Sequence, residues 1–263
     1  MEKSFVLSPK KEKRYIVQLS NSNVDKGREQ NVILTNSEDE AEMILQLLGN
    51  NVQLLDDEEL KLHHSALRKK YENKACDVLC ERFYKWNYTD VNTVRNLFKK
   101  IPFNYDCIEK LDKKEKISNK MVHKKNKNNI LISDYYQDGM VNYFRGFTST
   151  EEIIFDHTRD HIAGILLFEV IRQAGIASTH LGGLNEDGII VISDTYIQYS
   201  RFIVSSKPFY IRTISINRSQ GGNGFFVYEV FQDNQICVSG WFTGISFINN
   251  DVYEELKNMV SSI

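Results

Sequence analysis

An apolar helical segment of the sequence contains side chains that could carry acid–base chemistry. Residues 162–177 are nearly apolar all round, which favours a helix surrounded by sheet. Glu169, Arg172 and Gln173 fall within its stripe at helical spacing, not on a separate polar face. Because burying an unpaired carboxylate or guanidinium costs several kcal/mol, these side chains must pair, line a wet cleft, or both.

Two interpretations of this polar group remain open. Glu169 and Arg172 stand three residues apart, so they can form an internal salt bridge that fixes the helix, while Gln173 satisfies a strand end. In the other interpretation the group is a catalytic or binding cluster at the mouth of an acyl pocket. Glu169 is then the general base, and Arg172 is either its partner or the fork-shaped cation that binds a phosphate.

The loop before this helix carries further candidates. His157 and His161 could each shuttle a proton, or could be ordinary surface histidines. Asp160 could cap the helix or contact substrate. Gly164, near the start of the helix, lies among backbone N–H groups that could hold a thioester carbonyl or an oxyanion. No serine or cysteine lies in a nucleophile-elbow context, so a covalent acyl-enzyme is not indicated.

The N-terminal part, residues 1–115, is predicted to be a mainly helical α+β segment. Acidic residues behind Ser37 predict a helix N-terminus there. Two more helices are predicted over 57–84 and 90–100, and short strands at 14–19 and 31–35. The role of this segment is open: it could be a degenerate repeat, a partner-docking module or an unrelated addition.

The stretch 110–127 is rich in lysine and has few acids. This composition predicts a solvated linker or an exposed surface segment, and it places a domain boundary near residue 115. The same charge could attract an acidic carrier protein or a nucleic acid.

The remaining residues, 116–263, predict a different architecture. Two strands are predicted at 130–133 and 141–147, followed by the helix, which ends near residue 181. Four more strands are predicted at 189–202, 209–216, 224–232 and 235–247, and a tail helix at 252–260. One helix among mostly antiparallel strands must be covered by one strongly curved sheet. The predicted fold class is therefore α+β, with a C-terminal hotdog domain.

The motifs resemble known hotdog families. GILLFE followed by QA resembles the central-helix signature of β-hydroxyacyl-carrier-protein dehydratases, in which a loop histidine precedes the helix. The span 121–247 resembles the A-factor biosynthesis hotdog family more closely. The lines MVHKKNKNNILISD and DHTRDHIAGILLFEVIRQAGIASTH carry that resemblance.

The resemblance implies a hotdog fold and a reaction. The best-known members of the A-factor family join a β-ketoacyl group, carried on acyl carrier protein, to dihydroxyacetone phosphate on the route to γ-butyrolactone signalling molecules. Their proposed active-site pair maps onto Glu169 and Arg172. Members usually carry two hotdog repeats, whereas only one clear copy is visible here. A homodimer would then supply the second half of the site.

The composition argues against several classes of function. A net charge of −2 gives no whole-chain argument for binding nucleic acid or membrane, and no apolar run is long enough to span a bilayer. Four scattered cysteines and the absence of an apolar leader predict a cytoplasmic protein. Four residues of types that bind metals lie in the N-terminal segment: His63, His64, Cys76 and Cys80. Their spacing is not that of a ligand cluster, so no metal is expected.

The leading functional hypothesis is an acyltransferase that uses acyl carrier protein or coenzyme A thioesters and no other cofactor. Its acceptor would be a small hydroxyl compound such as dihydroxyacetone phosphate. The alternatives are a hotdog dehydratase or thioesterase, or a non-catalytic regulator that binds an acyl thioester. The N-terminal segment shows no compact basic recognition helix, so nucleic-acid binding is not expected.

Overall fold

The computed structural model describes residues 15–19, 32–49, 52–54, 82–83, 87–153 and 160–261. Two sheets lie within these ranges. A three-stranded parallel sheet has the order β2-β1-β3 and comprises β1 (Tyr15–Leu19), β2 (Val32–Thr35) and β3 (Val52–Leu54). Three helices accompany it: α1 (Glu38–Leu48), α2 (Tyr88–Lys100) and α3 (Ile108–Asp112).

The second sheet has six antiparallel strands in the order β4-β5-β7-β8-β9-β6. The helix α4 (Gly164–Leu181) connects β5 to β6, and α5 (Asn250–Ser261) follows the last strand. The strands are β4 (Tyr136–Asp138), β5 (Val141–Arg145), β6 (Ile189–Tyr199), β7 (Tyr210–Ile216), β8 (Gly222–Gln232) and β9 (Gln235–Phe247). This is the predicted hotdog arrangement.

Both faces of the central strands β7 and β8 are buried, each in a different core. Along β8, Phe226, Tyr228 and Val230 pack with α4, whereas Phe225 and Val227 pack with the N-terminal elements. The alternation follows from the period of two in a strand. The N-terminal elements therefore cover the face of the sheet opposite α4.

Most predicted elements are confirmed within a few residues. Ser37 caps α1, as predicted, and its side chain accepts a hydrogen bond from Glu40 N. The helix predicted over 57–84 lies outside the described residues except for Arg82, which is helical, and Phe83, which lies in a turn. One predicted strand is wrong: 130–133 forms only isolated bridges, and β4 comes later in the chain.

The linker prediction for 110–127 is wrong for part of that stretch. Ile117 and Val122 are buried, and the 3-10 turn Lys120–Val122 packs against α4. Most of its lysines are exposed, and they gave the stretch its linker-like composition, whereas Lys124 is largely buried. The boundary near residue 115 stays a prediction. Among the described residues, no helix combines the length and apolarity needed to cross a bilayer.

A buried ion pair joins the N-terminal elements to the sheet. Arg212 on β7 donates to Glu229 Oε2 on β8 at 2.8 and 2.5 Å, and the two side chains are 3% and 2% exposed. Its Nη1 also donates to the carbonyl oxygen of Ile101 at 2.6 Å, just after α2. The guanidinium lies 4.4 Å from the ring centre of Phe98. Arg212 therefore binds the carbonyl oxygen of Ile101 after α2 and one carboxylate oxygen of Glu229 at the same time, while Glu229 Oε1 is buried without a hydrogen bond.

We expect Arg212→Met to lower the free energy of unfolding by about 3–5 kcal/mol, because it leaves the Glu229 carboxylate buried without a counter-charge. Urea denaturation measures the change. The double variant Arg212→Met/Glu229→Leu should recover most of the loss. Lys113→Met removes an exposed ion pair with Glu109 and should change stability by less than about 1 kcal/mol. An Arg212→Met effect as small as that control contradicts the prediction.

Candidate functional site

The polar group on the central helix is assembled around the carboxylate of Glu169. Arg172 forms a two-pronged ion pair with it, at 2.6 Å from Nε to Oε2 and 2.8 Å from Nη2 to Oε1. Lys124 Nζ lies 2.9 Å from Oε1, and Gln173 Nε2 donates to the same oxygen at 3.0 Å. The Glu169 side chain is only 14% exposed. Its charge is therefore balanced by two cations and an amide.

Gln173 also supports the backbone beside α4. Its Oε1 accepts from Leu131 N at 2.8 Å, and its Nε2 donates to the carbonyl oxygen of Asn129 at 2.9 Å. Gln173 is fully buried. The side-chain amide of Gln173 therefore satisfies backbone hydrogen-bonding groups in the segment that runs along α4. This agrees with the interpretation in which Gln173 has a structural role.

Lys124 is a member of the cluster that sequence reasoning missed. Its side chain is 10% exposed and pairs with Glu152 as well as Glu169. Lys124 belongs to the MVHKK motif that carries the family resemblance. Lysine is so common in 110–127 that the sequence alone does not distinguish Lys124 from the exposed lysines around it. Lys124 ties α4 to the segment that precedes residues 154–159.

The partners of Glu169 decide its charge state. Burial alone would raise the pKa of its carboxyl group, but the hydrogen bonds from Arg172, Gln173 and Lys124 outweigh burial and lower the pKa to about 2. Glu169 is thus ionised at neutral pH. While these partners remain in place it is a weak base.

Two histidines lie near Arg172. His123 Nε2 is 2.9 Å from His180 Nε2, so one ring must donate and the other accept. Partial burial, the neighbouring His180 and the charge of Arg172 together lower the pKa of His123 to about 4. The pair is therefore neutral near pH 7. Sequence reasoning missed it, because the two residues are 57 positions apart.

A second group of predicted residues lies at the start of α4. His161 Nδ1 is 2.8 Å from Asp160 Oδ1, and this hydrogen bond lowers the pKa of the Asp160 carboxyl group. The imidazole also packs against Phe202, with ring centres 5.1 Å apart. The prediction that Asp160 caps α4 is wrong: Ala163 occupies the N-cap and offers no side-chain hydrogen bond.

His161 and Phe202 border a groove of about 330 Å³. Its walls are largely apolar, and Phe202 is 81% exposed at its edge. The lining residues include His161, Gly164, Leu167, Tyr199, Phe202 and Ile203. Glu169 is not among them, since it lies about 140° around the helix axis from Gly164 at 3.6 residues per turn.

The described residues therefore place the predicted site in two groups. Glu169, Arg172 and Gln173 form one cluster, His161 and Gly164 line the groove, and Asp160 is hydrogen-bonded to His161 beside it. His157 lies outside the described residues, as do His63, His64, Cys76 and Cys80. Within the part of the chain that the structure describes, no three His, Cys, Asp or Glu side chains are grouped to hold a metal ion.

The stability contributed by Glu169 should depend on pH. Because its folded pKa of about 2 is below the ordinary value of 4.5, this contribution is full above pH 4.5 and is lost as the pH falls towards 2. Replacing Glu169 by Gln should therefore lower the free energy of unfolding at neutral pH, and the deficit should shrink across that acid range. Denaturant titrations at a series of pH values measure it. Glu109→Gln, at a carboxylate 83% exposed, is the control and should show no such trend. A deficit that is independent of pH contradicts the assignment.

Lys124→Met should raise the pKa of Glu169, because it removes one of the hydrogen bonds that hold the carboxylate ionised. Carbon-detected NMR of the side-chain carboxyl group follows this titration. Lys125→Met, at the adjacent exposed lysine, is the matched control and should leave the pKa unchanged. Equal titration curves for Lys124→Met and the wild type would remove Lys124 from the cluster.

Solved structures show limited similarity to this chain. An uncharacterized protein from Pyrococcus horikoshii is 10% identical, with a TM-score of 0.37 over 51% of this chain and 93% of that one. A thioesterase from Haemophilus influenzae is 13% identical, with a TM-score of 0.35 over 44% of this chain and 78% of that one. No curated protein matches the chain significantly.

The family match is more extensive than these likenesses. The model of the A-factor biosynthesis hotdog domain matches residues 108–247, which is more than half of the 263 residues. The matched span includes α4, both site groups and the six strands of the antiparallel sheet. The chain belongs to the A-factor biosynthesis hotdog family.

Proposed function

We propose that the protein is an acyltransferase that acts on acyl thioesters. It would transfer a β-ketoacyl group from acyl carrier protein, or from coenzyme A, to a small hydroxyl acceptor such as dihydroxyacetone phosphate. The product would serve the synthesis of a γ-butyrolactone-type signal or another secondary metabolite. The observation that carries the proposal is the apolar groove at the N-terminus of α4, bordered by His161.

The groove suits an acyl thioester on two grounds. Its apolar walls can take an alkyl chain. The first backbone bond of α4 runs from Leu167 N to Ala163 O, so the amides of Gly164, Ile165 and Leu166 lie outside the helix's own hydrogen-bond ladder. Amides at a helix start stabilise the negative charge that develops on a thioester carbonyl oxygen.

The proposed step requires a base. The hydroxyl oxygen of the acceptor attacks the carbonyl carbon, the carbon–sulfur bond breaks, and the hydroxyl proton passes through the base to the departing thiolate. Glu169 is the proposed base. It does not line the groove, but it follows Ile165 by one turn on the same side of α4, so the proposal requires the acceptor to lie beside Ile165, between the helix start and Arg172. With a pKa of about 2 it cannot act while Arg172 occupies both of its oxygens.

A phosphate on the acceptor offers a way to release this carboxylate. A guanidinium binds phosphate in the same two-pronged manner as carboxylate. In the proposal, the acceptor phosphate takes Arg172 from Glu169, which raises the pKa of Glu169 and makes it an effective base. Acceptors without a phosphate would then react slowly.

The remaining predicted residues have supporting roles in the proposal. His161, oriented by Asp160, and His157 are candidates to carry the proton to the leaving thiolate. Gln173 positions Glu169, which it contacts directly. The proposed protein is cytoplasmic, where its thioester substrates are made.

A second copy of the chain is the proposed protein partner. β6 lies at the edge of the six-stranded sheet and pairs only with β9 among the described strands. Its side chains Val191, Tyr196 and Tyr199 are 40–51% exposed, and Ile165 on the first turn of α4 is 60% exposed. An open, mostly uncharged edge favours pairing with another strand. Acyl carrier protein is the proposed transient partner.

A second candidate function is a regulator that binds an acyl thioester without turning it over. The observation that favours it is the complete pairing of Glu169, which leaves no free base in the cluster. Such a protein would bind acyl thioesters tightly and release no thiol. Measuring thiol release therefore distinguishes the acyltransferase from the regulator.

The test mixes the purified protein with a β-ketoacyl coenzyme A and dihydroxyacetone phosphate, and follows thiol release. We expect turnover that falls about 10²-fold or more in Glu169→Gln, because general base catalysis contributes that much. Dihydroxyacetone without phosphate should be a much poorer acceptor, and Arg172→Lys should remove the difference. Glu254→Gln, on the exposed tail helix, is the control.

Thiol release unaffected by Glu169→Gln would refute the assigned base. Absence of thiol release across a range of acyl chains, together with tight thioester binding, would establish the regulator instead. For that candidate a DNA mobility shift that weakens with salt would identify the partner as nucleic acid.

A further inference from the structure

The histidine pair near Arg172 has no role in the reaction proposed above. His123 Nε2 and His180 Nε2 are 2.9 Å apart and the ring centres are 5.0 Å apart, so the two imidazoles meet end to end. His180 is buried near the end of α4, whereas His123 is exposed just after the 3-10 turn Lys120–Val122. The pair therefore joins two segments of the chain and is open to solvent on one side.

Each ring also has a backbone acceptor for its other nitrogen. His180 Nδ1 is 3.2 Å from the carbonyl oxygen of Leu184. The carbonyl oxygen of Gly188 is a hydrogen-bond acceptor for the His123 ring, and Nδ1 is the nitrogen left for it because Nε2 faces His180. The pair thus has three hydrogen bonds to make, one to each carbonyl oxygen and one between the rings.

Two neutral imidazoles cannot make all three of these hydrogen bonds. Each neutral ring carries one N–H, so the two rings supply two donors. A third proton completes the set, because both nitrogens of an imidazolium donate. A metal ion fits less well than a proton. Zinc sites use three or four protein ligands, and within the described ranges no third His, Cys, Asp or Glu side chain is grouped with the pair.

The surroundings keep this third proton off the pair at neutral pH. Burial first, and then the neighbouring His180 and the charge of Arg172, lower the pKa of His123 to about 4. Since a charge on one ring opposes a charge on the other, the pair takes up one proton and not two. The ionisable groups around the pair lie on three segments: Arg172 and Glu169 on α4, Lys120 and Lys124 on the segment of His123, and Glu186 in the turn after α4.

The charges beside Arg172 are balanced before a substrate binds. Lys124 and Arg172 face the carboxylates of Glu152 and Glu169, which gives two positive and two negative charges. A phosphate group adds about −1.5 to −2 charges at pH 7. A proton on the histidine pair offsets part of this added charge and leaves Glu169 ionised, as a base must be.

We propose that His123 and His180 bind one proton between them when an anionic group, such as the phosphate of the acceptor, occupies Arg172. The inference rests on the proposed binding of a phosphate at Arg172, and it adds the residues that couple this binding to pH. The phosphate cancels the effect of Arg172 on His123, so the occupied pair has a higher pKa than the free pair. The resulting gain in affinity is full below the pKa of the free pair and is lost as the pH rises through the pKa of the occupied pair.

NMR of the imidazole nitrogens tests the pair directly, with and without saturating dihydroxyacetone phosphate. Both rings should titrate in one common step, and the phosphate should move this step up by about one pH unit or more. Arg172→Met should move the step in the same direction without any ligand, because the variant removes the positive charge. Lys113→Met, at an exposed lysine, is the control and should leave the step unchanged.

The pH dependence of binding gives a second readout. We compare the affinity of the wild type for dihydroxyacetone phosphate with that of His123→Gln, which leaves no cavity in the core because His123 is exposed. The ratio of the two affinities should fall by up to about tenfold per pH unit as the occupied pair loses its proton. Taking the ratio removes the titration of the phosphate itself.

Two separate titration steps for the rings, or a common step that Arg172→Met leaves in place, would overturn the shared proton. An affinity ratio that does not change with pH would show that binding takes up no proton at the pair. If dihydroxyacetone phosphate fails to bind while Arg172→Met still moves a common step, the proposed acceptor and its coupling fail, but the pair remains the proton-binding group beside Arg172.

Discussion

The antiparallel sheet must be covered on both of its faces, and this constraint governs the rest of the molecule. Strands such as β7 and β8 place apolar side chains on alternate sides, so neither face can be left to water. Helix α4 covers one face and the N-terminal elements cover the other. Arg212 can be buried at the second face only because Glu229 and the end of α2 satisfy it together. The N-terminal elements thus stabilise the antiparallel sheet by covering its second face.

The same central helix separates two kinds of chemistry around its circumference. One side holds a balanced set of charges around Glu169, fixed to neighbouring segments by Lys124 and Gln173. Another side borders an apolar groove. A group of paired charges and an apolar groove need different surroundings. A helix buried along most of its length can offer both because its residues project in all directions.

The sequence predicted those parts of the fold that depend on local pattern. Alternating strands, the capped α1 and the apolar α4 all follow from periodicity and capping, and the i, i+3 spacing predicted the Glu169–Arg172 contact. The sequence could not predict side-chain contacts between residues that are far apart in the chain. Lys124 reaches Glu169 across 45 positions, and the His123–His180 pair spans 57. Composition also misread 110–127, because lysines on its outer side hid the buried Ile117 and Val122.

The contact between Arg212 and the end of α2 also bears on how the chain folds during synthesis. Phe98 and Arg212 are 114 positions apart, and a ribosome adds about 5–20 residues each second. For roughly 6–23 s the apolar side of α2 would be exposed before β7 and β8 are made to cover it. The nascent N-terminal half is therefore exposed to misassembly during translation, and a chaperone that shields it until β7 and β8 appear would raise the yield of native protein.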